Sequence, residues 1–259
     1  MKALVLVGGL GTRLRDLVPD LPKPMAPFLG KPFLEYKVDW LRRQGFKSVV
    51  FCVGYKGELI RQHFGDGSRW GLRIEYSFED GDSLLGTAGA LKNAEDLVDG
   101  PFFAMNGDTY LRNDFQEMVD AANREGWQAT ILVCPPVNPK EEGKVFVDRE
   151  SGEVTSFTEK PKERGIGDGP TGGGSPHCGA AYTNAGIYLF APEVLDRIPA
   201  GRKVSLEYDL LPAMVEEGVV GAVTYDGYFI DIGVPRFHEK FGKDLESGLF
   251  PDCFPDCQP

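Results

Sequence analysis

The stretch MKALVLVGGLGTRLRDLVPDLPKPMAPFLGK, residues 1–31, decides the fold. A short apolar run at 3–7 ends in Gly8-Gly9-Leu10-Gly11-Thr12-Arg13, and Lys23 follows between two prolines. Glycines let backbone N–H groups close around a phosphate, and a cation beside them adds charge. The stretch therefore predicts a buried strand followed by a loop that binds a polyanionic nucleotide.

Two common phosphate-binding motifs do not describe this loop. A P-loop requires GxxxxGK[ST], which the sequence lacks, and a GxGxxG fingerprint fails because Leu14 stands at its last position. The loop therefore belongs to another class of nucleotide site.

Composition limits the classes of partner. The chain has 259 residues, 42% of them hydrophobic, and a formal net charge of −11. An acidic body of this kind excludes nucleic-acid binding through a broad basic surface. The N-terminus leads directly into a strand without a signal peptide, and the sequence holds no apolar run long enough to cross a bilayer. We expect a cytoplasmic enzyme that has no membrane partner.

The cysteines are not expected to form a metal centre. Cys52 and Cys134 lie in apolar runs, where a buried free thiol is the ordinary state. The spacing of Cys178, Cys253 and Cys257 matches no standard zinc pattern.

Apolar runs alternate with helical patterns along most of the chain. We predict strands at 3–7, 48–53, 72–77, 101–105, 128–133 and 184–190. We predict helices at 32–44, 87–98 (with Thr87 as the cap), 113–125 and 205–217, a short helix ending at 64, and a last helix starting at 235. Strands that are apolar throughout indicate a mostly parallel sheet covered on both faces.

The second half also contains alternating stretches. We predict one hairpin from 144–148 and 154–159 and another from 219–225 and 228–232. The Gly-rich segment 164–182 has few large apolar side chains and is predicted to be a long mobile loop.

Two aspartates follow predicted strands at the edge where ligands bind in such sheets. Asp108 ends NGD after the strand at 101–105, and Asp231 lies in FIDIG. Carboxylates at strand ends are natural Mg²⁺ ligands, although either residue alone would more often form a turn. Their joint presence with a phosphate loop favours a magnesium site.

Charged residues near turns are the other candidates. Prolines restrict the backbone around Lys23, within the phosphate-loop segment. In Glu159-Lys160-Pro161 the carboxylate could accept sugar hydroxyl groups and the lysine could meet a phosphate, or the two could form a solvated ion pair. With three histidines in the chain and no triad pattern, His-based catalysis is not expected.

A series of further motifs follows in order along the chain: GGLGTRL at 8–14, LPKPMAPFLGKPFLEY at 21–36, GYKGELI at 54–60, LGTAGAL at 85–91, NGD at 106–108, FTEKP at 157–161, NAGIYLF at 184–190, EYDLLP at 207–212 and FIDIGVP at 229–235. With these motifs the sequence resembles the sugar-1-phosphate nucleotidyltransferases over about nine-tenths of its length. The segment LPKPMAP…GKPFLEY is most similar to the guanylyltransferase branches for D-glycero-D-manno-heptose 1-phosphate and mannose 1-phosphate.

This resemblance implies a fold and a division of roles. The fold would be a Rossmann-like three-layer αβα sandwich with a mixed, mostly parallel central sheet, formed by residues 1–245 and followed by a tail at 246–259. The catalytic residues would be Arg13, Lys23 and Asp108. The nucleotide would contact Gly8, Gly9, Gly11, Thr12, Arg13, Lys23, Gly86 and Thr87. The sugar phosphate would contact Gly143, Glu159, Lys160, Asn184 and Gly186. Mg²⁺ would be held by Asp108 and Asp231.

The implied substrates are a nucleoside triphosphate, with GTP favoured, and a sugar 1-phosphate; a homodimer is possible. Alternatives are a CTP- or UTP-using enzyme for glucose or an amino sugar, and a catalytically silent nucleotide-sugar sensor. The segment EDGDSLLGTAG departs from the family pattern, because Leu84 replaces the usual proline and the segment is about two residues longer. Base contacts near Glu79 therefore stay open.

Overall fold

A computed structural model describes residues 1–9, 11, 21–80, 84–136, 143–159 and 180–250. The strands in these ranges are β1 (Lys2–Leu6), β2 (Pro27–Phe28), β3 (Lys31–Pro32), β4 (Ser48–Val53), β5 (Arg73–Phe78), β6 (Phe102–Asn106), β7 (Thr109–Leu111), β8 (Ala129–Cys134), β9 (Lys144–Val147), β10 (Val154–Thr158), β11 (Ala180–Phe190), β12 (Val220–Thr224) and β13 (Phe229–Asp231). The α-helices are α1 (Phe33–Arg43), α2 (Gly57–Phe64), α3 (Gly86–Asn93), α4 (Gln116–Glu125), α5 (Leu211–Glu216) and α6 (Pro235–Glu246). Shorter helical turns are the 3₁₀ segments Lys23–Met25, Ser68–Trp70, Glu95–Leu97 and Pro192–Arg197, and a π-helical turn at Leu206–Leu210.

One mixed sheet of nine strands organises the described part of the chain. Its order is β10-β9-β11-β6-β1-β4-β5, and β8 pairs with both β11 and β12. The pairs β6–β1, β1–β4, β4–β5 and β8–β12 are parallel, whereas β11 is antiparallel to β6, β8 and β9. The predicted mixed, mostly parallel sheet is confirmed.

Helices cover both faces of this sheet. In β1 the side chains alternate between two buried clusters: Ala3 and Val5 pack in the cluster that includes residues of α1 and α6, and Leu4 packs in the cluster that includes residues of α3 and α5. Because both faces of the strand are buried, it is apolar throughout, which is the pattern that predicted it. The predicted three-layer arrangement is confirmed.

Several element boundaries agree with the sequence pattern. The strand predicted at 48–53 is β4 without change, α1 lies inside 32–44, α6 begins at Pro235, and β9 pairs with β10 as an antiparallel hairpin. Cys52 and Cys134 are buried and lie outside any disulfide of the described residues, as predicted. Cys178, Cys253 and Cys257 lie outside the described residues, as does the tail from residue 251.

The predicted hairpin at 219–232 is wrong. β12 instead pairs in parallel with β8, and β13 pairs antiparallel with β7, whose register places Asp231 opposite Thr109. Four of the five residues of β12 are buried, so this strand suits the interior of the large sheet better than a two-stranded ribbon.

Two other expectations need correction. Residues 164–179 of the predicted mobile loop lie outside the described residues, but 180–182 belong to β11, because their backbone pairs with β9 at Tyr182–Val145 and the two preceding positions. The helix predicted at 87–98 begins at Gly86 and ends at Asn93, and Thr87 does not cap it. No helix in the described ranges is long and apolar enough to span a membrane.

Candidate active site

The loops that follow the central strands meet at one edge of the sheet. The Gly107 amide after β6 donates to the Leu6 carbonyl at 2.9 Å, and the Tyr55 amide after β4 donates to the Gly8 carbonyl at 3.2 Å. Gly8 lacks room for a side chain, since a Cβ there would lie 2.8 Å from Glu79 Oε2 and 3.0 Å from the Gly54 amide nitrogen. Close approach of the two backbones therefore builds this edge and requires glycine at position 8.

Lys23 and Asp108 form an ion pair at this edge. Lys23 begins the 3₁₀ turn Lys23–Met25 between two prolines, and its Nζ contacts Asp108 Oδ2. The exposed fractions of the two side chains are 17% and 26%, so water screens the pair only in part. Burial alone would raise the pKa of Asp108. The charge of Lys23, the hydrogen bond that Lys23 donates and the charge of Lys37 outweigh burial, so the pKa of Asp108 lies below its ordinary value.

Asp231 joins this pair through the β7–β13 ribbon. The Ile232 amide donates to the Asp108 carbonyl at 2.9 Å, and the Gly233 amide donates to Asp231 Oδ1 at 2.7 Å. A Cβ on Gly233 would lie 1.9 Å from Lys23 Nζ and 2.8 Å from Asp231 Oδ1, so both polar groups surround that glycine. The structure thus brings together the lysine and both aspartates that the sequence singled out.

This donor set fits a magnesium ion that arrives with phosphates. The described residues contain no group of three or more His, Cys, Asp or Glu side chains that could hold a metal. Mg²⁺ does not need such a cage, because it binds through one or two carboxylates and completes its shell with phosphate oxygens and water. Asp108 and Asp231 offer two such carboxylates.

Lys37 is a component that the sequence motifs did not reveal. It lies on α1 and is fully buried, and its Nζ donates to the Thr109 carbonyl at 2.9 Å, one residue after Asp108. Its ammonium also lies 5.5 Å from the centre of the Trp40 ring. The helical spacing of Phe33 and Trp40 places position 37 on the apolar face, which was the available signal.

The buried Lys37 should make stability depend on pH. Burial lowers the pKa of Lys37 from 10.5 to about 7, against the attraction of Asp108. Between these values the unfolded chain binds more protons than the folded protein, so the free energy of unfolding rises with pH. We expect the unfolding free energy of the wild type to increase relative to that of Lys37→Met by about 2 kcal/mol between pH 7 and pH 9.

Urea denaturation of both proteins at several pH values measures this difference. Loss of the hydrogen bond to Thr109 adds a constant offset, so the slope alone reports the titration. A difference that does not change with pH would contradict the expectation.

The residues predicted for the nucleotide side are only partly described. Gly9 has open space around its Cα, and Gly11 has a φ of +59° beside the Lys23 side chain. Gly86 has a φ of +75°, and a Cβ there would lie 2.5 Å from the Val204 carbonyl oxygen, so only glycine fits. Thr12 and Arg13 lie outside the described residues.

Thr87 was predicted to cap its own helix, but its hydroxyl bonds to a distant turn instead. Its hydroxyl donates to Glu207 Oε2 at 2.8 Å and accepts from the Leu206 amide at 2.7 Å. The Thr87 hydroxyl faces the turn at 205–207, because that turn offers both a hydrogen-bond donor and an acceptor.

The predicted sugar-phosphate residues that the structure describes fall at two places. A Cβ on Gly143 would lie 3.0 Å from Glu159 Oε2, which places these two side by side. Asn184 and Gly186 lie on β11, where the Gly186 amide donates to Asn184 Oδ1 at 2.9 Å. Gly186 has a φ of +67°, and a Cβ there would lie 2.4 Å from Asn106 Nδ2. Lys160 lies outside the described residues.

Asn106 connects the Asn184–Gly186 segment with the turn of Asp108, because it ends β6 two residues before Asp108 and packs against Gly186. The sugar-side strand therefore borders the turn that carries Asp108. Sequence spacing alone could not show this, since the two strands are 80 positions apart.

Glu79 is a further carboxylate at the glycine loops. Its Oε1 accepts from the Leu85 amide at 3.0 Å, and its Oε2 lies against Gly8 and Gly54. Burial raises the pKa of Glu79, and the hydrogen bond from Leu85 acts in the opposite direction. The longer segment before Leu85 thus still delivers a carboxylate to the edge.

One edge of the mixed sheet thus combines close glycine loops, a lysine and two carboxylates. The chain belongs to the nucleotidyl transferase family, whose model matches residues 2–246. It is 37% identical over 240 residues to mannose-1-phosphate guanylyltransferase catalytic subunit beta of Xenopus tropicalis, covering 91% of this chain and 62% of that protein. It is also 36% identical over 252 residues to UTP–glucose-1-phosphate uridylyltransferase of Synechocystis sp., covering 92% and 61%.

A comparison with a solved structure agrees with this family assignment. HddC from Yersinia pseudotuberculosis is 28% identical with a TM-score of 0.76, and the match covers 94% of this chain and 99% of that one. HddC has also been solved in complex with GMP-PN, and that structure matches with a TM-score of 0.75. The chain thus spans about three-fifths of the curated relatives and nearly all of HddC.

Proposed function

We propose that the protein is a sugar-1-phosphate guanylyltransferase that converts GTP and a sugar 1-phosphate into a GDP-sugar and pyrophosphate. The observation that carries the proposal is the convergence of Lys23, Asp108 and Asp231 beside the glycine loops at one edge of the sheet. A protein that only binds a nucleotide sugar has no need for two carboxylates and a lysine at the same point. An enzyme that joins two polyanions needs the lysine, and a metal held by the carboxylates, to compensate the negative charge.

The reaction needs charge compensation more than proton transfer. An oxygen of the sugar phosphate attacks the α-phosphorus in line, and pyrophosphate leaves from the opposite side. The nucleophile is already an anion, so no general base is required. In this proposal Lys23 and Arg13 bind the reacting phosphates and stabilise charge in the transition state. Mg²⁺ held by Asp108 and Asp231 would supply further neutralisation of the phosphates when bound.

The remaining residues divide between the two substrates. Gly8, Gly9, Gly11 and Thr12 would surround the nucleotide, and Gly86 with Thr87 would border the base and ribose. On the sugar side the Glu159 carboxylate would accept hydroxyl groups and Lys160 would bind the 1-phosphate. Gly143, Asn184 and Gly186 would shape the space for the ring. Glu159 beside Gly143, and Asn184 beside Gly186, support this division.

The carboxylate of Glu79 supports guanine as the base. An ionised carboxylate offers acceptors only. The Watson–Crick edge of guanine presents two neighbouring donors, N1–H and N2–H₂, whereas uracil presents one donor between two carbonyl oxygens. The Leu85 amide holds Glu79 beside the Gly86-Thr87 segment that would border the base, so this carboxylate would match guanine and repel the carbonyls of uracil.

Heptose 1-phosphate is the proposed sugar substrate, supported by the similarity of the LPKPMAP…GKPFLEY segment to the heptose 1-phosphate guanylyltransferase branch. Mannose 1-phosphate is the second candidate, because a mannose-1-phosphate guanylyltransferase is among the curated relatives with 37% identity.

Pyrophosphate release tests the proposal directly. The purified protein is assayed with each of the four ribonucleoside triphosphates against heptose, mannose, glucose and N-acetylglucosamine 1-phosphates in the presence of Mg²⁺. We expect GTP with heptose 1-phosphate to give the highest kcat/KM. A clear preference for CTP or UTP would overturn the guanylyl assignment, and no turnover with any pair would favour a silent sensor.

Glu79→Gln should change the choice of base. In glutamine, an NH₂ group takes the place of one carboxylate oxygen. This NH₂ group would face a hydrogen-bond donor of guanine, whereas the amide as a whole can pair with the N–H and a carbonyl oxygen of uracil. We expect kcat/KM for GTP to fall about 10²-fold relative to that for UTP, since an unpaired buried polar group carries this discrimination. Glu58→Gln on the surface of α2, where Glu58 pairs with Arg61, is the matched control. An unchanged GTP to UTP ratio would remove Glu79 from base recognition.

A further inference from the structure

The backbone of Thr109 lies next to both carboxylates proposed to hold Mg²⁺. Thr109 follows Asp108 in the chain and stands opposite Asp231 in the β7–β13 register. The Ile232 amide donates to the Asp108 carbonyl at 2.9 Å, so residues 108 and 232 continue this antiparallel ribbon as a hydrogen-bonded pair. Such pairs alternate along a ribbon, and the next residue, Thr109, therefore turns its carbonyl away from β13.

That carbonyl needs a donor that the small sheet does not supply. Thr109 is only 3% exposed, and in the described part of the chain β7 pairs with β13 alone. A buried carbonyl without a partner costs free energy comparable to a lost hydrogen bond. The Lys37 Nζ meets this need from α1, 72 positions away, by donating to the Thr109 carbonyl at 2.9 Å. One long side chain thus takes the place of a neighbouring strand.

Lysine is a costly choice of donor at this place. Lys37 is fully buried, and burial lowers its pKa to about 7. A buried charge is weak evidence for stability, because an apolar side chain of similar volume often serves a core as well or better. Both protonation states of the amine keep N–H groups, so the bond to Thr109 does not depend on the titration of Lys37. The cost therefore indicates a role other than packing.

The bond from Lys37 completes the set that holds the turn of Asp108. The Thr109 hydroxyl donates to the Asn106 carbonyl at 3.2 Å, which closes the turn against the end of β6. The Ile232 amide fastens the turn to β13, and Lys37 fastens the other side of β7 to α1. Without Lys37 the ribbon is held along one edge only, and both of its carboxylates can shift with it.

We propose that Lys37 is a positioning residue that holds Asp108 and Asp231 in place for a divalent cation by fastening Thr109 to α1. The inference rests on the proposed function for the cation that these carboxylates bind. It assigns no contact between Lys37 and the cation or either substrate.

Amide hydrogen exchange tests this anchoring without any ligand. Methionine is close to lysine in length but donates no hydrogen bond, so Lys37→Met leaves the Thr109 carbonyl without this donor. We expect the Ile232 amide to exchange about tenfold faster in this variant, because the ribbon opens more often. The Tyr55 amide, which donates to Gly8 at the same edge of the large sheet, should be unchanged. Equal acceleration of both amides would indicate a general loss of stability and overturn the inference.

Calorimetric binding of GTP measures the effect on the site without turnover. We expect Mg²⁺ to strengthen GTP binding by the wild type. In Lys37→Met this gain should shrink about tenfold while the affinity for GTP without Mg²⁺ stays the same, because the carboxylates act through the metal. In a double variant with Asp108→Asn, the combined loss should be smaller than the product of the single losses, since Lys37 acts partly through that carboxylate. Independent losses, or an unchanged gain in Lys37→Met, overturn the inference.

Lys2→Met is the matched control. Lys2 also donates to a backbone carbonyl, that of Leu97 at 2.6 Å, but it lies at the start of β1, and the glycine loop follows the other end of that strand. This variant should change neither the exchange of the Ile232 amide nor the gain from Mg²⁺. A change in either as large as that in Lys37→Met would overturn the inference.

Lys37→Gln replaces Lys37→Met if the latter does not fold. Its amide nitrogen stands one bond closer to the backbone than Nζ and stops short of Thr109, so the same two changes are expected, and their absence overturns the inference. If neither variant folds, Lys37 serves the core and the positioning role is overturned.

Turnover separates this inference from the proposed function. A wild type that binds GTP more tightly with Mg²⁺ but turns over no substrate pair disproves the proposed function, while the exchange and affinity measurements still decide the role of Lys37. A wild type whose GTP binding does not respond to Mg²⁺ overturns the inference, and its turnover then decides the proposed function alone.

Discussion

Replacing Lys23 by methionine should lower kcat for pyrophosphate release at least ~10²-fold, the usual scale for losing one group that stabilises transition-state charge. Methionine preserves the length and much of the volume of the side chain, so the 3₁₀ turn that carries position 23 should persist. The loss should appear in kcat more than in the KM for GTP, because the lysine acts on charge that develops during the reaction. Steady-state kinetics with GTP and the best sugar 1-phosphate give both parameters.

Two companions isolate the role of the Lys23 ammonium. Lys240→Met removes a surface lysine paired with Asp244 and should leave kcat unchanged. Gly233→Ala keeps every charge but places a methyl group 1.9 Å from the present position of Lys23 Nζ, so the ammonium must move. We expect an intermediate loss of kcat in that variant. Near-normal turnover of Lys23→Met would remove Lys23 from the mechanism.

Asp108→Asn should be the second large effect. The substitution removes the charge that pairs with Lys23 and one of the two carboxylates proposed to hold Mg²⁺, while it keeps the side-chain shape. We expect kcat at saturating Mg²⁺ to fall at least ~10²-fold. The Mg²⁺ concentration needed for half-maximal activity should also rise, because a neutral amide is a weaker ligand for a hard cation.

A metal titration at fixed GTP measures the effect on Asp108→Asn. Asp39→Asn on α1, where Asp39 pairs with Arg42 and Arg43 at the surface, is the matched control. Asp231→Asn should raise the required Mg²⁺ concentration as well, if both carboxylates share the ion. Retained activity with an unchanged Mg²⁺ requirement in Asp108→Asn would contradict the assignment of this residue.

The continuous apolar strands were the most predictable part of the fold. Strands such as β4 are buried on both faces, so their composition alone separates them from helices and loops. Partner choice was less predictable, because the alternating segments at 219–232 fit equally well in a hairpin or in separate pairings. The pairing of β12 with β8 depends on burial within the whole sheet.

The same limit applies to the candidate site. Lys23, Asp108 and Asp231 stood out because each lies at a turn after Gly, Pro or a strand, which sequence records directly. Lys37 did not stand out, because no motif distinguishes a lysine on the buried face of a helix from a lysine in solvent. Glu207 was missed for another reason: its hydrogen bond with Thr87 joins residues 120 positions apart, and no local pattern encodes it.

The central place of β11 has a consequence for the order in which the protein assembles. Within the described residues, β1, β4, β5 and β6 pair only among themselves and with β11, so the first 106 residues can complete a parallel four-stranded unit. In the described sheet, the β9–β10 hairpin and β8 pair with that unit only through β11, which is synthesised after all of them. During translation the proposed nucleotide side can therefore fold early, while the proposed sugar side waits for a single late strand that joins all three.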